Sequence, residues 1–203
     1  MRQSTAALSF LYGIDEFYPK FGYTTIGPMY HLRITAMAYR PPLPEGWRMR
    51  SLRRRDLPAI KRIYALNTAN SVGAAVRTAR SPVWTQLIAT AAPNSADTCR
   101  VIADEHDAVV AYAWRGAGLG YVRDFEGYEP RSLVLGEVMA SSPQSADAIL
   151  GLCCAWAAEE TARREQPVCW VYSNQPPWSI ISTAAMYHEN WLDTQSFRSG
   201  GMM

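Results

Sequence analysis

The chain has 203 residues, of which 48% are hydrophobic and 19% charged, and a formal net charge of +2. This composition is typical of a packed globular protein, either one large domain or one domain plus a fragment, and it excludes a disordered chain. The small net charge gives little attraction to nucleic acid, so we expect no such partner. The sequence has no apolar run long enough to span a membrane and no signal-peptide pattern, so we expect no membrane partner.

Cysteine and histidine are the usual zinc ligands, and here they are too scattered to form a site. None of the seven follows a metal-ligand spacing: Cys99, Cys153, Cys154, Cys169, His31, His106 and His188. The adjacent pair at 153 and 154 falls in a helical pattern, which favours buried thiols over a disulfide. We therefore expect no metal, and a reducing cytoplasm as the location.

The first 46 residues contain two predicted strands and a linker. Residues 6–14 are a continuous apolar run, which predicts a buried strand, and 15–23 form a turn segment in which Gly22 suits a left-handed conformation. Residues 29–36 alternate as in a second strand. Residues 39–46 contain three prolines, which favour an extended linker and mark a domain boundary.

The next segment predicts a strand followed by two helices. Residues 47–52 read as a short strand. Apolar residues then recur at helical spacing over 57–69, with Asp56 as a suitable N-cap. A second helix is predicted over 76–92, and Pro82 either starts it or interrupts it.

The rest of the chain alternates strands and helices. Two strands flank a tight turn at His106 and Asp107, which predicts a β-hairpin. The predicted segments are a strand at 99–105, a strand at 108–116, a loop at 117–131, a strand at 133–141, a helix at 144–164, a strand at 167–173, a helix at 177–190 and a strand at 192–198. This order predicts an α/β (α+β) fold with a mixed, mostly antiparallel sheet flanked by helices.

The segment LYGIDEFYPKFGY (11–23) resembles the closing motif of a GCN5-related N-acetyltransferase (GNAT) domain, in which a strand ending in glycine precedes aromatic-Tyr-x-x-x-Gly-aromatic. The matching residues are Phe17, Tyr18, Gly22 and Tyr23. The resemblance is to the tandem-GNAT type. It implies that 1–38 are the C-terminal strands of a partial first unit, 39–46 a linker and 47–203 a second, degenerate unit. Because open sheet edges are a liability, we expect 1–38 to pair with a sheet in the same chain or across a homodimer.

The resemblance also implies acetyl-CoA as the acyl donor. In the family its pyrophosphate lies at a Gln/Arg-x-x-Gly-x-Gly/Ala turn opening the central helix, where backbone N–H groups and the helix dipole attract phosphate. Gln144 fits the first position, but Asp147 replaces a glycine and Ile149 a Gly or Ala. The candidate cofactor residues are Met139, Ala140, Gln144, Ser145 and Ala146. The alternative is an ordinary helix start, with Ser141 or Ser142 as N-cap.

Asp147 weighs against cofactor binding, because a carboxylate beside a pyrophosphate costs roughly 1 to 4 kcal/mol at moderate screening.

Two catalytic candidates follow from the resemblance. Tyr18 occupies the position of the general acid that protonates the thiolate, and Tyr187 is a poorer match because Trp191 replaces the motif glycine. Both tyrosines also suit packing at the sheet edge. Glu137, on the strand before the central helix, is the candidate base, since a lone glutamate in an apolar strand is costly unless paired or functional.

Strict alternation offers a second interpretation of Glu137. It places Leu135, Glu137 and Met139 on one face, which in this interpretation is the solvent side of an edge strand.

Two further clusters have alternative interpretations. The arginines at 48, 50, 53, 54 and 55 suit either phosphate binding or a solvated face. Trp170, Tyr172 and Trp178 suit either an acceptor pocket or packing.

The resemblance thus implies an acyl-CoA-dependent N-acetyltransferase that acts on a small-molecule amine. The departures at Asp147, Ile149 and Trp191 favour the alternative, a non-catalytic GNAT-like structural, dimerisation or ligand-binding module.

Overall fold

A computed structural model describes residues 19–22, 25–37, 41–71, 75–92, 98–116, 131–164, 166–188 and 192–202. Its helices and strands are β1 (Thr25–Thr35), β2 (Arg48–Ser51), α1 (Leu57–Thr68), α2 (Pro82–Ala89), β3 (Cys99–Ala103), β4 (Val109–Trp114), β5 (Ser132–Leu135), β6 (Glu137–Ala140), α3 (Pro143–Arg163), β7 (Trp170–Ser173), α4 (Ile180–Tyr187) and β8 (Leu192–Met202). The predicted element order from residue 47 matches the structure except over 133–141, where the one predicted strand is two, β5 and β6. The strand predicted over 6–14 and most of the loop predicted over 117–131 lie outside the described residues.

The starts of α1 and α2 differ in detail from the predictions. Pro82 begins α2, where a residue without an N–H loses no hydrogen bond, so the prediction of a helix from residue 76 was too long. Asp56 precedes α1 as predicted, but its side chain makes no cap hydrogen bond. Its carboxylate instead accepts hydrogen bonds from Arg50 Nη1 and Nη2 at 2.6 and 3.0 Å.

Within the described residues, the strands form two four-stranded sheets, in the orders β5-β7-β1-β8 and β2-β3-β4-β6. The β5 and β7 pair is parallel, and the other pairs are antiparallel. β5 and β6 are separated only by Gly136, so one stretch of chain contributes a strand to each sheet. The fold is therefore a mixed, mostly antiparallel α+β structure with helices against its sheets.

β1 comes from the segment before the proline-rich linker, yet it lies between β7 and β8. Leu32 is opposite Ser173 in β7 and Gln195 in β8. The described part of residues 1–38 thus pairs with a sheet of its own chain, one of the two expected arrangements. In the linker, Leu43 packs against the core formed by α3 and α4. The proposed division at residues 39–46 stays a prediction.

Two apolar cores lie on opposite faces of the β2–β6 sheet, and alternate side chains of each strand supply them. On β4, Ala111 and Ala113 enter the core containing α3 and α4. Tyr112 and Trp114 enter the core containing α1 and α2. This is the two-residue periodicity of a strand buried on both faces.

Gly136 interrupts that alternation. Leu133 and Leu135 contact the α3 side, and so do Val138 and Ala140 beyond the glycine. The expectation that Leu135, Glu137 and Met139 share a face was wrong, because one extra residue at position 136 moves every later side chain to the opposite face. Glu137 consequently lies on the α1 and α2 side of the sheet, where Met139 packs.

Candidate functional site

β6, which carries the candidate cofactor residues Met139 and Ala140, separates from β7. The parallel pairing of β5 with β7 ends at Leu135 and Ser173, and β6 then pairs with β4. Gln175 bridges the gap, since its Nε2 donates a hydrogen bond of 2.8 Å to Val138 O. Gln175 is only 6% exposed. The side chain therefore joins the two strands at the point where they separate.

A second side chain occupies the end of β6. Asn67 Nδ2, from α1, donates a hydrogen bond of 2.8 Å to Ala140 O. On the other face, a cavity lined by residues including Val138 and Val171 has a volume of about 10 Å³. That volume admits about one water molecule. The diverging strands are therefore filled by protein groups.

The start of α3 is capped by its own serines. Ser142 is the N-cap, one of the two predicted positions, and its Oγ accepts a hydrogen bond from Ser145 N at 3.2 Å. Ser145 Oγ in turn accepts from Ser142 N at 2.9 Å and from Ser141 N at 3.1 Å. Ser145 is fully buried. These three backbone donors, of the kind that bind phosphate at a helix start, are already hydrogen bonded.

The residues that depart from the family motif have structural partners. Asp147 Oδ1 lies 3.3 Å from His188 Nε2 at the end of α4, and its side chain is 42% exposed. Ile149 and Ala146 are fully buried in the core. Among the candidate cofactor residues, Gln144 is exposed to solvent.

Glu137 lies in a buried polar cluster. It is 6% exposed. Its Oε1 forms an ion pair with Arg77 Nη2, and its Oε2 accepts a hydrogen bond from Tyr112 Oη at 2.9 Å. The Tyr112 hydroxyl also lies 3.1 Å from Met139 Sδ. The solvent-facing interpretation of Glu137 was therefore wrong, because the flip at Gly136 turns its carboxylate into the α1 and α2 core.

The cluster is electrostatically coupled. Burial, reinforced by the charge of Glu137, raises the pKa of Tyr112 well above its ordinary value. Burial by itself would lower the pKa of Arg77, but the hydrogen bond and charge of Glu137 outweigh it and raise that pKa. The Arg77 guanidinium also lies 4.0 Å from the centre of the Tyr64 ring. Arg77 therefore stays protonated opposite Glu137.

The aromatic candidates are dispersed. Tyr18 and Trp191 lie outside the described residues, and Tyr187 is 82% exposed at the end of α4. Tyr172 is buried, whereas Trp178 is 60% exposed and packs edge-on against Tyr30 at 5.3 Å between ring centres. The aromatic candidates that the structure describes are thus spread between buried and exposed positions.

Sequence reasoning did not identify Asn67, Arg77, Tyr112 or Gln175. Arg77 was placed inside the helix predicted over 76–92, but the structure has it in the segment before α2, and Gln175 lies in the loop after β7. Tyr112 sits among apolar residues of a predicted strand, and the only available signal was a hydroxyl in a buried position, which requires a partner.

In the described part of the chain, no three His, Cys, Asp or Glu side chains come together as a metal-binding group. Among the same residues, no helix combines the length and apolar character needed to cross a bilayer.

No protein-family model and no curated protein matches this chain. Solved structures do match. A probable N-acyltransferase from Enterococcus faecalis has a TM-score of 0.59 at 11% identity, over 95% of this chain and 44% of that one. A GCN5-related N-acetyltransferase from Kribbella flavida has a TM-score of 0.60 at 13% identity, over 95% and 41%.

A third match is a GCN5-related N-acetyltransferase from Anabaena variabilis, with a TM-score of 0.54 at 16% identity over 95% of this chain and 44% of that one. This chain therefore spans less than half the length of these proteins. Likeness at such low identity concerns the fold alone. The chain has a GNAT-like fold.

Proposed function

We propose that this chain is a non-catalytic GNAT-fold module, with a structural or ligand-binding role and no acetyl-CoA site at the start of α3. The observation that carries the proposal is the reciprocal cap between Ser142 and Ser145, which uses the N–H groups of Ser142 and Ser145 themselves. A pyrophosphate placed there would have to displace both serine hydroxyls.

Charge and space support the same conclusion. Asp147 brings a carboxylate to the first turns of α3, and a second negative group nearby is repelled. The hydrogen bond from Gln175 to Val138 joins the segment after β7 to β6 at the point where the two strands separate. An extended part of a ligand bound there would need the Val138 carbonyl as a partner, and this bond already occupies it. The residues present thus do not fit acetyl-CoA, and we derive no acyl-transfer step from them.

Isothermal titration of acetyl-CoA into the whole chain tests the proposal. We expect no binding by the native protein at ligand concentrations up to the millimolar range. A Ser145→Ala/Asp147→Gly variant removes one half of the reciprocal cap and the carboxylate, and it should gain measurable binding. Asp147→Gly alone separates the charge from the cap. Micromolar binding by the native chain would refute the proposal.

A second candidate is an acyl-CoA-dependent N-acetyltransferase acting on a small-molecule amine. The buried carboxylate of Glu137 on β6 favours it, and so do the names of the similar structures. In this case Glu137 would be the base and Tyr18 the acid. The test is thiol release from acetyl-CoA across a panel of amines. Turnover by the native chain that is lost in Glu137→Gln, under conditions where circular dichroism shows the variant to be folded, would establish it, and absence of turnover by the native chain would leave the first proposal.

Both candidate functions are compatible with a homodimer, which stays a prediction. Sedimentation of the purified chain would show whether it dimerises.

A further inference from the structure

Four arginines contact one carboxylate at the β3–β4 turn. Asp107 Oδ1 lies 2.6 Å from Arg48 Nη2 and 3.1 Å from Arg50 Nε. Asp107 Oδ2 lies 3.0 Å from Arg53 Nη1 and also pairs with Arg55 Nη2. The arginine run of the sequence is therefore neither dispersed nor fully solvated. It converges on a single point.

The backbone explains the convergence. Arg48 and Arg50 are two residues apart on β2, so they project from the same face of the strand. β2 pairs with β3, and Arg48 stands opposite Ala103, next to the turn. Asp107 has φ of 62°, a left-handed conformation that aspartate tolerates better than most residues. The turn thus presents the carboxylate to the arginines.

The four arginines have different environments. Arg50 is 9% exposed and also binds Asp56, so its role is structural. The side chains of Arg48, Arg53 and Arg55 are 49%, 48% and 65% exposed. Each guanidinium has five N–H donors, so one shared carboxylate cannot accept hydrogen bonds from all the donors of three arginines. Outward-facing donors remain around Asp107.

Arginines outnumber carboxylates among the groups in direct contact. Four arginines contact two carboxylates, Asp56 and Asp107. The other two carboxylates of the turn keep their negative charges, and their oxygens bind other groups. Asp104 Oδ1 accepts from the N–H groups of residues 106 and 108, and Glu105 Oε2 accepts from Trp47 Nε1 at 3.1 Å.

We propose that Arg48, Arg53 and Arg55 bind a dianionic phosphate group, with Asp107 as the anchor that holds the guanidiniums together. Planar guanidinium forks match phosphate oxygens, and the three exposed arginines outnumber Asp107, the one carboxylate that they share, so they attract an added anion. The ligand class is a small phosphate-bearing molecule. A nucleic acid needs a row of cations along its backbone, whereas these arginines surround one point.

This site is separate from the start of α3. In the sheet order β2-β3-β4-β6, the arginines lie at the β2 edge and α3 follows β6 at the other end. The proposal therefore stands whether or not acetyl-CoA binds.

Titration of inorganic pyrophosphate into the whole chain at fixed ionic strength tests the proposal. We expect saturable binding by the native chain. An Arg53→Gln/Arg55→Gln variant should bind at least about tenfold more weakly, since each charge-assisted hydrogen bond contributes more than one factor of ten. Arg163→Gln is the matched control, because Arg163 is 61% exposed on α3, and its affinity should equal that of the native chain.

Three results would overturn the proposal. They are no saturable binding by the native chain, an equal loss in Arg163→Gln, and tighter binding of a single-stranded oligonucleotide than of pyrophosphate. Arg55→Gln alone, at the most exposed of the three positions, repeats the test if the double variant fails to fold.

Discussion

Gln175 and Val138 are joined by a buried hydrogen bond of 2.8 Å across the point where β6 and β7 separate. The two residues are 6% and 2% exposed. We expect Gln175→Ala to lower the free energy of unfolding by about 1 to 3 kcal/mol, because the Val138 carbonyl would stay buried without its partner. Chemical denaturation measures the change.

Gln86→Ala is the control for this prediction. Gln86 is exposed on α2, so its loss should change the free energy of unfolding by less than about 0.5 kcal/mol. Equal effects of the two substitutions would mean that the bridge contributes nothing.

The sequence predicted the element order, apart from the division of one strand into β5 and β6, because periodicity is a local property. Alternation along β4 and helical spacing along α1 both follow from which side chains must be buried. The sequence did not predict which face of the sheet each side chain beyond Gly136 occupies. A single extra residue moves every later side chain to the opposite face and leaves the apolar content of the strand unchanged. The pairing of β1 between β7 and β8 was expected only in outline, because sequence patterns do not specify which strands become neighbours.

The candidate site was less predictable than the fold. Glu137 stood out as a charge in an apolar strand, but its partner Arg77 is 60 residues away in the sequence and was assigned to a helix that begins only at Pro82. The Ser142 cap was predicted from residue type alone. Long-range side-chain pairs depend on packing, which a single sequence does not reveal.

The ion pair of Arg77 and Glu137 should be strongly coupled. Their side chains are 12% and 7% exposed. Glu137→Gln leaves a buried guanidinium without a counter-charge and should lower the free energy of unfolding by about 3 to 5 kcal/mol. Adding Arg77→Met should restore much of that loss, because an apolar residue of similar length removes the uncompensated charge. Denaturation of the native chain, both single variants and the double variant measures the coupling, and additive losses would contradict it.

Asp107 should make stability sensitive to acid. The hydrogen bond from Arg48, with the charge of Arg50, lowers its pKa to about 2. The unfolded carboxylate has a pKa of about 3.9. As the pH falls from about 4 to 2, the unfolded chain takes up the proton first, so the stabilisation by Asp107 is present above pH 4 and lost below it.

Asp107→Asn tests this directly. The stability difference between the native chain and the variant should be largest above pH 4 and should shrink toward pH 2. High salt should also shrink it, because three of the arginines are about half exposed or more and are screened. A difference that stays constant from pH 2 to pH 5 would contradict the ion pairs.

Ile149 departs from the GNAT cofactor motif, and its burial gives the departure a structural reason. It is fully buried among residues of α3 and the sheet. Ile149→Ala would restore the small residue of the motif, yet we expect it to lower the free energy of unfolding by about 2 to 5 kcal/mol, because it leaves a cavity in the core. Val76→Ala, at a position 93% exposed, should have almost no effect. A small residue at position 149 is therefore incompatible with this core as packed. No change in stability of Ile149→Ala would contradict this and would show that the start of the helix can shift toward the motif-like arrangement.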